Sequence, residues 1–197
     1  MLIRHADPDR DAEACAAIYR PFVTDGAVSF EAQPPDAAEV AWRIAKLSAT
    51  HPWLVAETDG DVVGYAYGCP HRERAAYRWT TEVSVYVGNG HHRRGVGRAL
   101  YSALFGLLER QGYRLACAGI TLPNDASLAL HKSMGFEPVG VYRQVGFKCG
   151  AWHDVAWYQR PLQPRPGEPP PPTRLEEVCH TSAWEAGLHA GRRLLGG

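Results

Sequence analysis

Apolar and polar positions divide the chain into short runs of period two separated by runs of period three to four, the pattern of strands alternating with helices. Leu2–His5 reads as a strand, and the helix after it carries Ala14, Cys15, Ile18, Tyr19 and Phe22 on one face. A second helix is predicted after Pro34-Pro35. Asp36 caps it with Glu39 reaching back, and Val40, Ile44 and Leu47 form a stripe that ends before His51-Pro52. Trp53–Thr58 and residues 62–67 are β-rich runs around Asp59-Gly60, a dipeptide suited to a tight turn with positive φ. Thr80–Val87 alternates strictly, with Val83, Val85 and Val87 on one face and Glu82, Ser84 and Tyr86 on the other, which predicts a strand with one polar face. A glycine-rich turn leads into a helix bearing Val96, Leu100, Leu104, Leu107 and Leu108 and stopped near Gly112. Residues 115–120 form a short strand, Asn124-Asp125 opens a helix ending at Gly135, and residues 136–142 and 153–158 are two final strands.

After residue 161 the pattern stops. Pro164, Pro166, Pro169, Pro170, Pro171 and Pro172 follow in quick succession, in a stretch that supports neither a ladder nor a helix interior. Residues 1–162 are therefore expected to form the domain, and 163–197 a proline-rich linker and tail with no assigned function. A helix around Leu175, Val178 and Cys179 fits the tail, fraying toward its Gly-rich end.

Composition adds exclusions. With 197 residues, 45% of them hydrophobic, the chain fills one core and is too short for two ordinary domains. Lys plus Arg number 21 and Asp plus Glu 21, so no net field draws nucleic acid or an anionic membrane, and neither is expected as a partner. No apolar run approaches the roughly 20 residues of a membrane span, and residues 1–7 do not resemble a secretory leader, which together imply a cytoplasmic protein. The 5 cysteines contain no C-x-x-C pair, and the 9 histidines no H-E-x-x-H, so neither a disulfide framework nor a metal site is expected.

The segment with most chemistry is Gly88-Asn89-Gly90-His91-His92-Arg93-Arg94-Gly95-Val96-Gly97, between a strand and a helix. Glycines let successive backbone N–H groups converge, and the helix start adds its positive end, which makes an anion cradle. It lacks the Gly-Lys-Ser/Thr of a triphosphate loop and the G-x-G-x-x-G of a dinucleotide fold, so a diphosphate held mainly by backbone remains. Taken alone, it is also a plain strand-to-helix turn with solvated arginines, the commoner case.

Arg94-Gly95-Val96-Gly97 after this strand resembles the acetyl-CoA pyrophosphate loop of the GNAT superfamily of N-acetyltransferases, with His92 standing where the pattern has Gln or Arg. The segments 79–87, Leu122-Pro123-Asn124-Asp125, Leu130-His131, Gly135-Phe136 and 145–155 narrow the resemblance to the phosphinothricin and methionine sulfoximine acetyltransferase branch, over residues 2–162. The resemblance implies a mixed α/β fold with a mostly antiparallel, splayed central sheet, acetyl-CoA as co-substrate, a small amine acceptor and a homodimer. It implies that Val85, Tyr86 and Val87 bind the pantetheine arm along a strand edge, that residues 92–97 cradle the diphosphate, and that Asn124 contacts the coenzyme as well as capping a helix. Glu82 is implied as general base acting through water, and His131 as a proton donor to the thiolate or a second base. Both have blander alternatives, a strand salt bridge for Glu82 and a helix histidine packed on Phe136 for His131. Arg72, Arg74 and Tyr77 are implied at the acceptor site, where arginines clamp a carboxylate or phosphinate, with Phe30 and Met134 as apolar walls. A non-catalytic acetyl-CoA sensor and a different acceptor amine are the rival readings. Since the proline cluster separates the tail from every motif, a chain ending at Gln163 is expected to keep its turnover number.

Overall fold

The computed structural model describes residues 1–164, 167–179 and 181–193, so Pro166 and the Gly-rich end lie outside the described residues. In chain order the elements are β1 (Leu2–His5), α1 (Pro8–Thr24), α2 (Ala37–Leu47), β2 (Trp53–Thr58), β3 (Asp61–Pro70), β4 (Thr80–Val87), α3 (Val96–Gln111), β5 (Leu115–Thr121), α4 (Asp125–Ser133), β6 (Glu137–Lys148), β7 (Ala151–Pro161), α5 (Leu175–Val178) and α6 (Ser182–Arg193), with a 3-10 turn at Ala75–Tyr77. The seven strands form one sheet in the order β1-β2-β3-β4-β5-β7-β6. Every neighbouring pair is antiparallel except β4 and β5, which run parallel.

Local chemistry sets the boundaries. Asp7, Asp36 and Asn124 each accept backbone N–H bonds and cap α1, α2 and α4. The reach-back expected of Glu39 is replaced by an ion pair one turn on, with Arg43 Nε 2.8 Å from Glu39 Oε1. Asp59 (φ 55°) and Gly60 (φ 93°) make the predicted two-residue turn between Thr58 and Asp61. Cys149 (φ 52°) and Gly150 (φ 76°) make a second one, joining Lys148 to Ala151. That turn lengthens β6 and β7 well beyond the predicted 136–142 and 153–158, with Gly150 the one residue in it that marks a turn in the sequence.

The sheet is covered on both faces. Leu100, Leu104, Leu107 and Leu108 of α3 are fully buried against Ile3, Leu54, Ala66 and Val83, each contributing roughly 1.5–3 kcal/mol. On the opposite face α1 and α2 bury Cys15, Tyr19, Val40 and Ile44 against Trp53, Val55 and Tyr65. The polar face predicted for β4 is therefore enclosed at one end. Tyr86 packs edge-on against Tyr19 (4.8 Å between ring centroids) and Phe22 (5.1 Å), and only Glu82 and Ser84 keep it polar.

Within 163–197, expected as linker and tail, several described residues are stitched to the body. Trp79 Nε1 donates to the Pro170 carbonyl (2.8 Å), and Gln111 Nε2 to the Thr173 carbonyl (3.0 Å). Trp184 of α6 is fully buried, stacks on His5 at 5.1 Å and donates its indole N–H to His5 Nε2 at 2.9 Å. A Cβ on Gly187 would sit 2.8 Å from Leu107 Cδ2, and one on Gly191 2.5 Å from the Ala99 carbonyl, so glycine lets α6 lie directly on α3.

Candidate active site

The ladder between β4 and β5 joins Thr80 to Leu115, Thr81 to Ala116 and Glu82 to Cys117, and goes no further. Beyond Glu82 the strands keep only their outer neighbours, β3 and β7, so the sheet forks and leaves residues 83–87 with an edge open to the gap. Glu82 stands at the fork.

A cleft of about 570 Å³ opens along that edge. Of the residues expected to hold the coenzyme, Val85, Tyr86, Val87, His92, Arg93, Gly95, Val96, Gly97 and Asn124 line it, and Arg94 does not. The sequence reading missed Phe22 and Val28 on the far wall and Ser127 and Leu130 of α4. Whereas α1, α2 and α4 are closed by their own side chains, α3 starts at Gly95 (φ 79°) with no side-chain cap, and its first-turn N–H groups stay available. A Cβ at Gly97 would lie 3.3 Å from Leu130 Cδ2 and 3.7 Å from Val87 Cγ2. Uncapped N–H groups beside a side-chain-free position suit a diphosphate. His92 closes the loop from within, Nε2 lying 2.8 Å from the Val87 carbonyl it bonds.

A small cavity of about 80 Å³ fills the fork, lined by Ser84, Val85, Gly119, Tyr101, Ser127 and His131 among others. His131 is buried and both ring nitrogens are engaged. Nδ1 donates to the Ser127 carbonyl (2.8 Å), so Nε2 accepts from the Tyr101 hydroxyl (3.1 Å). Burial holds its pKa below the ordinary histidine value, the Ser127 bond opposing this only partly. His131 is therefore neutral near pH 7. Tyr101, read in the sequence only as part of a helix, is the polar group it supports.

On the far side of the fork lies a cavity of about 430 Å³, lined by His71, Arg72, Tyr77, Cys117, residues 139–142 and Trp157. Glu82 Oε1 lies 2.8 Å from His71 Nδ1 and 3.4 Å from Arg72 Nη1, and the Arg72 guanidinium lies 5.9 Å from the Trp157 ring centre. Arg72 and Tyr77 are brought together at this one cavity. Arg74 and Met134 line none of these three cavities; Arg74 precedes the 3-10 turn, and Met134 packs at the end of α4 against the main core. Phe30 lines none of them either, its ring covering Gly146 of β6 and tilting toward His153 at 6.3 Å. His71 was missed. Its signal was a histidine in a loop otherwise read for its arginines.

Residues 3–157 match the family described as acetyltransferase (GNAT) domain. The chain belongs to the GNAT acetyltransferases. It is 40% identical over 163 residues to phosphinothricin N-acetyltransferase of Streptomyces viridochromogenes, a match covering 81% of this chain and 89% of that one. It is 37% identical over 163 residues to the L-methionine sulfoximine/L-methionine sulfone acetyltransferase of Salmonella typhimurium, covering 82% and 95%. The crystal structure of a GNAT superfamily phosphinothricin acetyltransferase from Sinorhizobium meliloti in complex with AcCoA superposes with a TM-score of 0.81 at 37% identity, covering 85% of this chain and 92% of that one. The mixed α/β architecture with a mostly antiparallel, open sheet is the expected GNAT fold, and α5 and α6 lie beyond the stretch that matches the family.

Proposed function

We propose that this GNAT acetyltransferase moves the acetyl group of acetyl-CoA directly to the amine of a small amino-acid-like acceptor bearing an anionic group, of the kind that phosphinothricin and methionine sulfoximine represent. The observation that carries this is the fork: Glu82 is the last paired residue before it, the α3 cleft is lined by the open edge at Val85 to Val87, and Glu82 Oε1 lies 3.4 Å from Arg72 of the arginine-bearing cavity. The uncapped start of α3 holds the diphosphate, the open edge at Val85 to Val87 holds the pantetheine, and the fork receives the thioester. Arg72 holds the acceptor's anionic group, with Tyr77 beside it. An amine arrives as ammonium, so it sheds one proton before it attacks the acetyl carbon, and Glu82 is the carboxylate on which that step depends. A backbone N–H of the open edge polarises the carbonyl. As the amide forms, the second nitrogen proton passes to the sulfur, with the Tyr101–His131 pair lining the route. No cysteine is acylated.

The acting form is a homodimer located in the cytoplasm, with no nucleic-acid or membrane partner. The edge strand β6 and its hairpin expose Val139, Val141, Tyr142, Val145, Phe147 and Trp152, an apolar surface that a second copy would cover. No helix among the described residues is long and apolar enough to cross a membrane.

Thiol release from acetyl-CoA, measured with phosphinothricin, methionine sulfoximine, free methionine and spermidine, tests the reading. Turnover on the anionic amino acids well above that on spermidine supports it. Coenzyme binding without turnover on any acceptor makes the chain a sensor and rejects it.

A further inference from the structure

Glu82 does not line the acceptor-side cavity; His71 does. An ionised carboxylate only accepts hydrogen bonds, so the 2.8 Å contact between Glu82 Oε1 and His71 Nδ1 assigns the ring proton to Nδ1. In the neutral ring Nε2 then carries a lone pair, and it has no hydrogen-bond partner among the described residues. The ring is held by two aromatic neighbours, Tyr77 at 5.7 Å and 72° and Trp157 at 6.1 Å and 76°. The His71 side chain is 17% exposed, enough to meet a ligand without facing bulk water. His131 has no such opening, since both its nitrogens are engaged.

A histidine fixed through Nδ1 by a carboxylate, with Nε2 toward the substrate, is a well-understood base arrangement: the carboxylate sets the tautomer and stabilises the imidazolium that forms. We propose that His71 is the catalytic group that receives the acceptor's ammonium proton, and that Glu82 is the positioning carboxylate behind it. This rests on the acetyl-transfer reading and names the base within it. R–NH₃⁺ in the cavity gives one proton to Nε2, leaving R–NH₂ and an imidazolium whose Nδ1–H stays on Glu82. The free amine attacks the acetyl carbon, the carbon–sulfur bond breaks, and the nitrogen's second proton ends on the sulfur. The imidazolium returns the first proton to solvent through the open side of the cavity. Arg72, 3.4 Å from the same Oε1, leaves the ring's outer nitrogen free.

The test uses His71→Gln, which retains an amide able to bond Glu82, with Glu82→Gln and the double variant, each checked for an unchanged thermal midpoint. Each single change should lower kcat by on the order of 10²-fold or more, with acetyl-CoA affinity and acceptor KM changed by less than about threefold, and the double variant should be no worse than the poorer single, as for groups that act as one unit. Nitrogen-15 NMR of the free enzyme gives a readout that needs no turnover: His71 should be the Nδ1–H tautomer in the parent and lose that bias in Glu82→Gln. A kcat for His71→Gln near the parent's, multiplicative losses in the double variant, or an Nε2–H tautomer in the parent overturns the proposal. A parent that releases no thiol with any acceptor sinks the acetyl-transfer reading and this proposal with it, whereas an active parent indifferent to His71 sinks this one alone.

Discussion

The two halves of the site are made of different material. The coenzyme half comes largely from one contiguous stretch, β4, its glycine-rich loop and the start of α3, and its recognition elements are backbone N–H groups and a strand edge. The acceptor half comes from side chains on segments far apart in sequence: the 71–77 loop, β5, β6 and β7. Backbone recognition tolerates exchange of side chains, as His92 shows by taking a place where the family pattern has Gln or Arg and still anchoring to Val87. Side-chain recognition does not, so substitutions in the acceptor half should be felt in kcat or acceptor KM and those in the coenzyme half in acetyl-CoA affinity.

The sharpest separation comes from Glu82→Gln, which keeps shape and removes the carboxylate. We expect kcat to fall on the order of 10²–10⁴ while acetyl-CoA affinity, measured calorimetrically, stays within about threefold. A matching loss of coenzyme affinity would erase the distinction between the halves.

A comparable free energy is at stake in the tail, but in stability. The expectation that a chain ending at Gln163 keeps its turnover number treated the tail as separate, whereas Trp184 is fully buried and Gly187 and Gly191 seat α6 along α3, the helix whose start is the cradle. Trp184→Ala should lower folding stability by about 3–5 kcal/mol in urea titrations. Coenzyme binding should weaken on warming before acceptor recognition does. A stability within 1 kcal/mol of the parent would mean that α3 holds its place unaided.

What the sequence disclosed follows the same division. Periodicity and caps located every strand and the four long helices ahead of residue 162, because caps such as Asp36 and Asn124 act within a few residues of themselves. The cradle was legible because glycine, strand end and helix start are adjacent in the chain. The bond from His71 to Glu82 was not, since the hairpin geometry of β3 and β4 brings the loop back over the strand and no periodicity records it. Phe30 and Met134 show the converse, apolar residues assigned to the acceptor by likeness that pack on Gly146 and on the main core. The packing of Trp184 and of Gly187 and Gly191 was not legible in the tail, because prolines signal the end of regular structure and leave no record of packing.

Within the coenzyme half, Gly97→Val should weaken acetyl-CoA binding by on the order of ten- to a hundredfold. Its Cβ is already 3.3 Å from Leu130 Cδ2, so the added methyls must enter the cleft. The kcat at saturating coenzyme should change little. Unchanged affinity in calorimetry would move the diphosphate elsewhere.

The smallest effect separates two arginines that the sequence could not rank. Arg72 lines the acceptor cavity, lies 5.9 Å from the Trp157 ring centre and reaches Glu82 at 3.4 Å, whereas Arg74 lines none of the three cavities. Arg72 is still 47% exposed at its side chain, so water screens much of what its charge offers an anionic group. A loss near 1.4 kcal/mol is therefore the scale to expect, equivalent to about a tenfold rise in acceptor KM for Arg72→Ala. Acetyl-CoA affinity should not move, and kcat should move less than KM, because the guanidinium grips the acceptor's anionic group equally in ground and transition states. Arg74→Ala should alter KM by less than about twofold, the range of an exposed charge with no part in the cavity. Steady-state kinetics on phosphinothricin with both variants decide it. Equal increases for the two would mean that the loop presents a diffuse positive field instead of one aimed guanidinium, and the acceptor half would lose the dependence on individual side chains that sets it apart.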